Sequence, residues 1–188
     1  MRWVKTTTDL AGRVVKIEVP SFGGGTNTTT YAYNDKGQLT STTEPGKANT
    51  LYEFNELGSI IKVCLDVDND DSIDESEMDR ITTYNSYFEQ DASNDWWMVS
   101  ASAIYAIDNG STATTNEISK TKLTGLSTNL TLESKSIDIF GNETVSRSSV
   151  NRSAKTVTQT VYTPYSTNDA VNVLINGLLT SSETATDL

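Results

Sequence analysis

The sequence predicts an all-β protein, an antiparallel array of β-hairpins with one loop insertion and little helix. Three observations carry this. Of the 188 residues, 29 are Thr and 21 Ser, a composition that favours strands with polar faces. Apolar residues recur at period two in short runs, the mark of a half-buried strand. At four places an Asp or Asn is followed three residues later by Gly: Asp9 and Gly12, Asn34 and Gly37, Asn55 and Gly58, Asp138 and Gly141. An Asx side chain bonds the backbone two residues on, and Gly takes the positive φ that closes a tight hairpin.

The elements follow in order. After the first turn comes the alternating run Val15, Ile17, Val19, then Gly23-Gly24-Gly25, which reads as a flexible link between hairpins and lacks the following Lys of a phosphate loop. Tyr31 and Tyr33 approach the second turn, and Tyr52 and Phe54 the third, each pair two apart and so on one strand face. Packing on a sheet is their expected role. Ile61, Val63 and Leu65 form the next strand, and an acidic run follows. Residues 74–83 offer the best helical stretch, about two turns. Val99, Ala101, Ala103, Tyr105 and Ile107, and later Val171, Val173 and Ile175, alternate again. The turn glycines fall 25 and then 21 residues apart, and the 83 from Gly58 to Gly141 is close to four more units of 21. That spacing suggests a repeat of two-stranded units.

The segments Tyr31-Ala-Tyr-Asn-Asp-Lys-Gly-Gln-Leu-Thr-Ser-Thr-Thr and Tyr52-Glu-Phe-Asn-Glu-Leu-Gly-Ser-Ile-Ile resemble YD (tyrosine-aspartate) repeats of the Rhs type, with Asn in the Asp position. Asp138-Ile-Phe-Gly-Asn-Glu-Thr is similar to their Asp-x-x-Gly-Asn-x-Thr turn. The match covers roughly residues 9–65, with weaker echoes over 105–180. The resemblance implies a curved or spiral sheet of hairpins, which in bacterial Rhs and toxin-complex proteins forms a shell around a toxic polypeptide. It also implies a secreted or cell-surface location. The units present are too few to close a shell, so the expectation is a fragment of a larger parent.

The net charge is -11, but residues 66–79 hold eight acids and no base. Elsewhere 14 bases face 17 acids, a balance of -3, so the acidity is local and reads as a cation site. Residues 66–77 fit the 12-residue calcium loop of the EF-hand. Hard Ca²⁺ takes six to eight oxygens. Asp66, Asp68 and Asp70 fill loop positions 1, 3 and 5, and Ser72 offers a carbonyl at position 7. Asp74 stands at position 9, and Glu77 closes the girdle at position 12. Ile73 holds the inward aliphatic position. Asp71 replaces the usual Gly at position 6, which places a side chain in a left-handed turn. A strand precedes the loop where an EF-hand has a helix, so a Ca²⁺-driven helix opening is not expected. Eight carboxylates within 14 residues repel one another unless a cation holds them.

Trp96 and Trp97 adjoin at a strand start, so one faces each side. One is expected in the core, and the pair are the candidates for ligand stacking. The chain has no His and one Cys, Cys64, which removes His-based triads, an intramolecular disulfide and structural zinc. No basic stripe suits nucleic acid and no apolar run spans a membrane.

The expected organisation is hairpin repeats over 1–65, the calcium loop over 66–79, degenerate repeats over 80–180 and a fraying tail over 181–188. The expected function is a non-enzymatic structural segment carrying one Ca²⁺. Its partners would be neighbouring repeats of the parent chain, an enclosed toxin polypeptide or a surface glycan. The alternative is a calcium-dependent carbohydrate-binding or adhesion module.

Overall fold

The structure, a computed structural model, describes residues 2–105, 112–123, 129–163 and 170–184. It contains β1 (Lys5–Thr8), β2 (Val14–Pro20), β3 (Thr26–Tyr33), β4 (Leu39–Thr43), β5 (Asn49–Phe54), β6 (Ile60–Asp66) and β7 (Arg80–Gln90). β8 (Trp96–Tyr105), β9 (Thr114–Leu123), β10 (Asn129–Ile137), β11 (Glu143–Asn151), β12 (Thr156–Tyr162), β13 (Ala170–Ile175) and β14 (Leu178–Thr184) follow. All fourteen belong to one antiparallel sheet in which spatial order follows chain order. The all-β hairpin array read from the sequence is therefore what the chain forms.

Among the described residues there is no helix. The two turns of helix expected over residues 74–83 do not form: residues 75–78 are turns and β7 starts at Arg80. The β-branched run Ile81-Thr82-Thr83 pairs with β6 through Cys64–Ile81, Val63–Thr82 and Lys62–Thr83, and cross-strand packing outweighs a weak helical period. Residues 181–184, expected to fray, lie in β14, and residues 185–188 lie outside the described residues. Ile107, expected to extend the β8 run, lies outside them too. The glycines at 23–25 lie in a turn between β2 and β3, closed by the Ser21 N–H donating to the Gly25 carbonyl at 2.9 Å.

The chain divides into two units, Met1–Tyr84 with Ile104–Thr114, and Asn85–Ala103 with Thr115–Leu188. In the first unit three hairpin tips share one geometry. Asn34 is typical: its N–H donates to the Gln38 carbonyl (3.0 Å), and its Oδ1 accepts from the N–H groups of Lys36 and Gln38 (both 3.0 Å). Gly37 at φ 81° donates back to the Asn34 carbonyl at 2.9 Å. Asp9 and Asn55 repeat the pattern. Each tip is followed by a register shift, so that Thr8, Tyr33 and Phe54 pair with Val14, Leu39 and Ile60. This is a three-residue turn closed by a left-handed residue and a bulge.

The second unit adds two tips with the same Asx hydrogen bonds; at the Asp138 tip Ile137 pairs with Glu143 in unbroken register, without the bulge. One is the expected Asp138 turn, with Oδ1 accepting from Phe140 and Asn142 at 2.9 Å each. The other, at Asp91, escapes the Asx-to-Gly pattern because Asn94 occupies the glycine position at φ 63°. Asp91 Oδ1 accepts from Ser93 (2.8 Å) and Asp95 (3.0 Å). The 21-residue spacing does not persist past Gly58. Among the described residues five strands, β6 to β10, separate the Gly58 and Gly141 turns, where four two-stranded units were expected. The reason is strand length: β7, β8 and β9 have 11, 10 and 10 residues.

The core of the first unit is a lateral row, Leu51 on β5, Cys64 on β6 and Ile81 on β7, with Ile73 and Tyr105 packed against it. Its face differs from the one the β6 alternation suggests. Leu65 is 41% exposed, whereas Cys64 and Asp66 are fully buried. The deciding element is the loop after β6, which folds back over the Cys64 face and brings Ile73 down on it. Trp97 and Val99 are the buried pair of β8 in the second unit, as that alternation predicts.

Candidate metal centre

The loop between β6 and β7 is built around two buried carboxylates. The last registered pair of the two strands is Leu65–Arg80, and one step further Asp66 and Asp79 close the mouth of the loop. Both side chains share the face of Cys64 and Ile81, and they are 0% and 3% exposed. Like charges directly opposed on a sheet repel, and burial removes the water that would screen them.

Backbone amides of the loop supply part of the compensation. Asp66 Oδ1 and Oδ2 accept from the N–H groups of Asp70 (3.2 Å) and Asp71 (3.1 Å). Asp79 Oδ1 accepts from Val67 N–H (3.0 Å), and Oδ2 from Asp74 N–H (3.1 Å) and the Cys64 thiol (3.2 Å). Burial first, and then the Asp79 carboxylate, push the Cys64 thiol far above its usual range, so it stays protonated and donating. A carboxylate has about four lone-pair positions, so Asp66 and Asp79 each keep acceptor capacity for a cation.

Oxygens of Asp66, Asp68 and Asp79 lie within 4.8 Å of one another, a group able to hold a metal ion. Asp68 shares a second group with Asp70 and Glu77 on the same criterion. Four of the six ligands expected from sequence, Asp66, Asp68, Asp70 and Glu77, are thus drawn together through Asp68. Asp74 belongs to neither group and contributes its backbone N–H to Asp79 instead. The Ser72 N–H donates to Asp70 Oδ1 at 2.8 Å, which bends the backbone at that point of the loop.

Asp71, at the position where such loops use glycine, adopts φ 63° as expected. Its carboxylate turns away from the groups and accepts from Asn49 Nδ2 at 3.0 Å. Glu75 is also diverted. It pairs with Lys62 at 3.0 Å, and hydrogen bonds from Lys62 and then Tyr105 hold its carboxyl below the usual range. Glu77 is pushed up by its hydrogen bond and charge repulsion with Asp68, the response of carboxylates crowded without a counter-charge.

Asp79 is the ligand candidate that the 12-residue loop pattern misses, because it lies two positions past the loop's end. The available signal is strand register: counting antiparallel pairs outward from Cys64–Ile81 sets Asp79 opposite Asp66.

The tryptophans divide as expected, Trp97 4% and Trp96 50% exposed. Trp97 is not a stacking platform. Its indole N–H donates to Asp91 Oδ2 at 2.9 Å, and Lys135 and Lys122 Nζ lie 5.2 and 5.8 Å from its ring centroid. Trp96 alone keeps an open face. No helix among the described residues is long and apolar enough to cross a membrane. No protein-family model matches the chain, and no curated protein matches it either.

Proposed function

We propose that the chain is a non-enzymatic structural segment of a secreted or cell-surface hairpin-repeat protein of the YD/Rhs type, carrying one Ca²⁺ in the loop over residues 66–79. The observation that carries this reading is the meeting of Asp66, Asp68 and Asp79 within 4.8 Å, two of them buried. A buried pair of carboxylates is costly unless a cation or proton joins it. The donors are all hard oxygens, which suits Ca²⁺ over softer metals, and the number of carboxylates suits it over Mg²⁺, which keeps its waters. Asp66, Asp68, Asp70 and Glu77 would supply side-chain oxygens, Asp79 a further one, and Ser72 its carbonyl. The ion would tie β6 to β7 and hold Ile73 over the Leu51–Cys64–Ile81 row.

The repeat assignment rests on the shared turn geometry of Asp9, Asn34 and Asn55, each with the same bulged register. Among the described residues few side chains are fully buried, which fits a segment that packs against neighbouring repeats, and an enclosed polypeptide would be such a parent's cargo.

Isothermal titration of the chelator-stripped chain with CaCl₂ and MgCl₂ tests the assignment. One Ca²⁺ per chain, with weaker Mg²⁺ binding and loss in Asp66→Ala, is expected; equal binding of the two ions or none removes it. The adhesion alternative has support only from exposed Trp96. It requires Trp96→Ala to abolish retention on a glycan surface while leaving the unfolding temperature unchanged.

A further inference from the structure

We propose that the groove beside Phe54, between the second and third hairpin tips, binds an arginine side chain of a partner polypeptide. The first and second tips supply the pattern from the chain's own residues. Arg13, the residue after Gly12, lays its guanidinium 4.8 Å from the centroid of the Tyr33 ring. Its Nε donates to Asp9 Oδ2 at 2.7 Å. Its Nη1 lies 3.2 Å from where a Cβ on Gly37 would stand. Arg13 therefore fills the space between two stacked tips, held by a ring, a carboxylate and a bare glycine.

One hairpin further on the same positions carry Gln38, Phe54, Asn34 and Gly58. Gln38 keeps the glycine contact, its Nε2 lying 3.2 Å from the Cβ position of Gly58. It is neutral, and its Oε1 is taken by Asn34 Nδ2 at 2.7 Å. Phe54 has no hydroxyl to reach back across the strands, whereas Tyr33 donates to the Val14 carbonyl at 2.9 Å. What remains is a groove of about 450 Å³ with Tyr52 and Phe54 in its lining. Asp35 and Glu56 border it against one Lys36, while Glu53 is engaged by Lys62 at 3.3 Å.

An aromatic lining edged by the carboxylates of Asp35 and Glu56 selects a cation. Guanidinium fits better than ammonium, because its flat face stacks on a ring while its edge donates to carboxylates, as Arg13 does. This site does not depend on the cation-loop reading, since none of its residues belongs to the loop after β6.

The test is a titration of the isotope-labelled full chain with a capped Gly-Arg-Gly peptide, followed by amide chemical shifts, with Gly-citrulline-Gly as the neutral isostere. The expected result is saturable shifts clustered over residues 34–40 and 52–56 with the arginine peptide and none with citrulline. Gln38→Arg should fill the groove from within the chain, abolish those shifts and raise the unfolding temperature. Glu56→Gln should weaken binding several-fold. The inference is overturned by an absence of shifts at saturating peptide, by equal shifts with citrulline, or by undiminished binding in Gln38→Arg.

Discussion

Asp66 and Asp79 stand opposite one another across the mouth of the β6–β7 loop, both buried, and each carboxylate is met by amides from the loop it closes. This pair converts a long polar connection into a closed structure. Its two carboxylates fix where the loop leaves and rejoins the sheet, and Ile73 between them covers the hydrophobic row.

Asp79→Ala should be among the most damaging single substitutions in the chain. It leaves the part-buried N–H groups of Val67 and Asp74 and the buried Cys64 thiol without their acceptor, at about 1–3 kcal/mol for a buried donor and less for a part-buried one. Chemical denaturation should report a loss on the order of 3 kcal/mol, whereas Asp71→Ala, whose carboxylate meets only Asn49, should cost far less. Equal losses would remove the special position given to Asp79.

Gly37 and Gly12 share a left-handed backbone, φ 81° and 80°, but differ in surroundings. A Cβ at Gly37 meets Arg13 Nη1 at 3.2 Å, and one at Gly12 meets nothing within 4 Å. Alanine at either site carries the backbone cost of about 1–2 kcal/mol. Gly37→Ala should cost more by the displaced Arg13, and Arg13→Ala should erase the difference. Paired denaturation curves of the single and double variants measure it.

At the Asp91 tip Asn94 holds φ 63° where the other tips use glycine. Asn94→Gly should keep the turn, because Gln90 bonds the Asn94 carbonyl and not its side chain. It should stabilise the chain by about 0.5 kcal/mol as the left-handed strain is relieved. A lowered melting temperature in Asn94→Gly would mean that the asparagine side chain has a role of its own.

Three tip carboxylates are held below the ordinary carboxylate value. The main cause is the Arg13 backbone N–H for Asp9, the Trp97 indole for Asp91 and the Asn142 side chain for Asp138. A depressed folded-state value means stability that is complete above the unfolded value, near 3.8, and is lost as pH falls through the folded one. The tips at Asn34 and Asn55 have no such dependence. The variant combining Asp9→Asn, Asp91→Asn and Asp138→Asn should therefore lose less stability than the parent between about pH 5 and pH 2. Parallel acid titrations followed by circular dichroism measure this, and superimposable curves would contradict it.

Much of this molecule was legible in its residues, and the misreadings have physical causes. Asx and Gly three apart located four tips because both turn requirements are local: a side-chain acceptor and a positive φ. Asn94 hid the fifth, since asparagine also tolerates the left-handed region. Alternation found β6 but chose its Leu65 face, because which face is buried depends on where the following loop folds, a tertiary fact. The loop pattern names Asp66, Asp68, Asp70 and Glu77, all of which fall in the two acidic groups. It passed over Asp79, whose place is set by pairing with β6 and not by spacing within the loop. The short helix over residues 74–83 failed for the same reason: Ile81 had a partner in Cys64.

The most direct measurement is the unfolding temperature of the intact chain in excess EDTA, in millimolar CaCl₂ and in millimolar MgCl₂. If Ca²⁺ closes the Asp66–Asp79 loop, saturation at about 100-fold above the dissociation constant adds about 2.7 kcal/mol, a rise of roughly 5–10 °C for a chain of this size. Mg²⁺ should give a smaller rise, and Asp66→Ala should abolish the Ca²⁺ effect. Identical transitions in all three solutions, or an equal Ca²⁺ rise in Asp66→Ala, would contradict a structural cation in this loop.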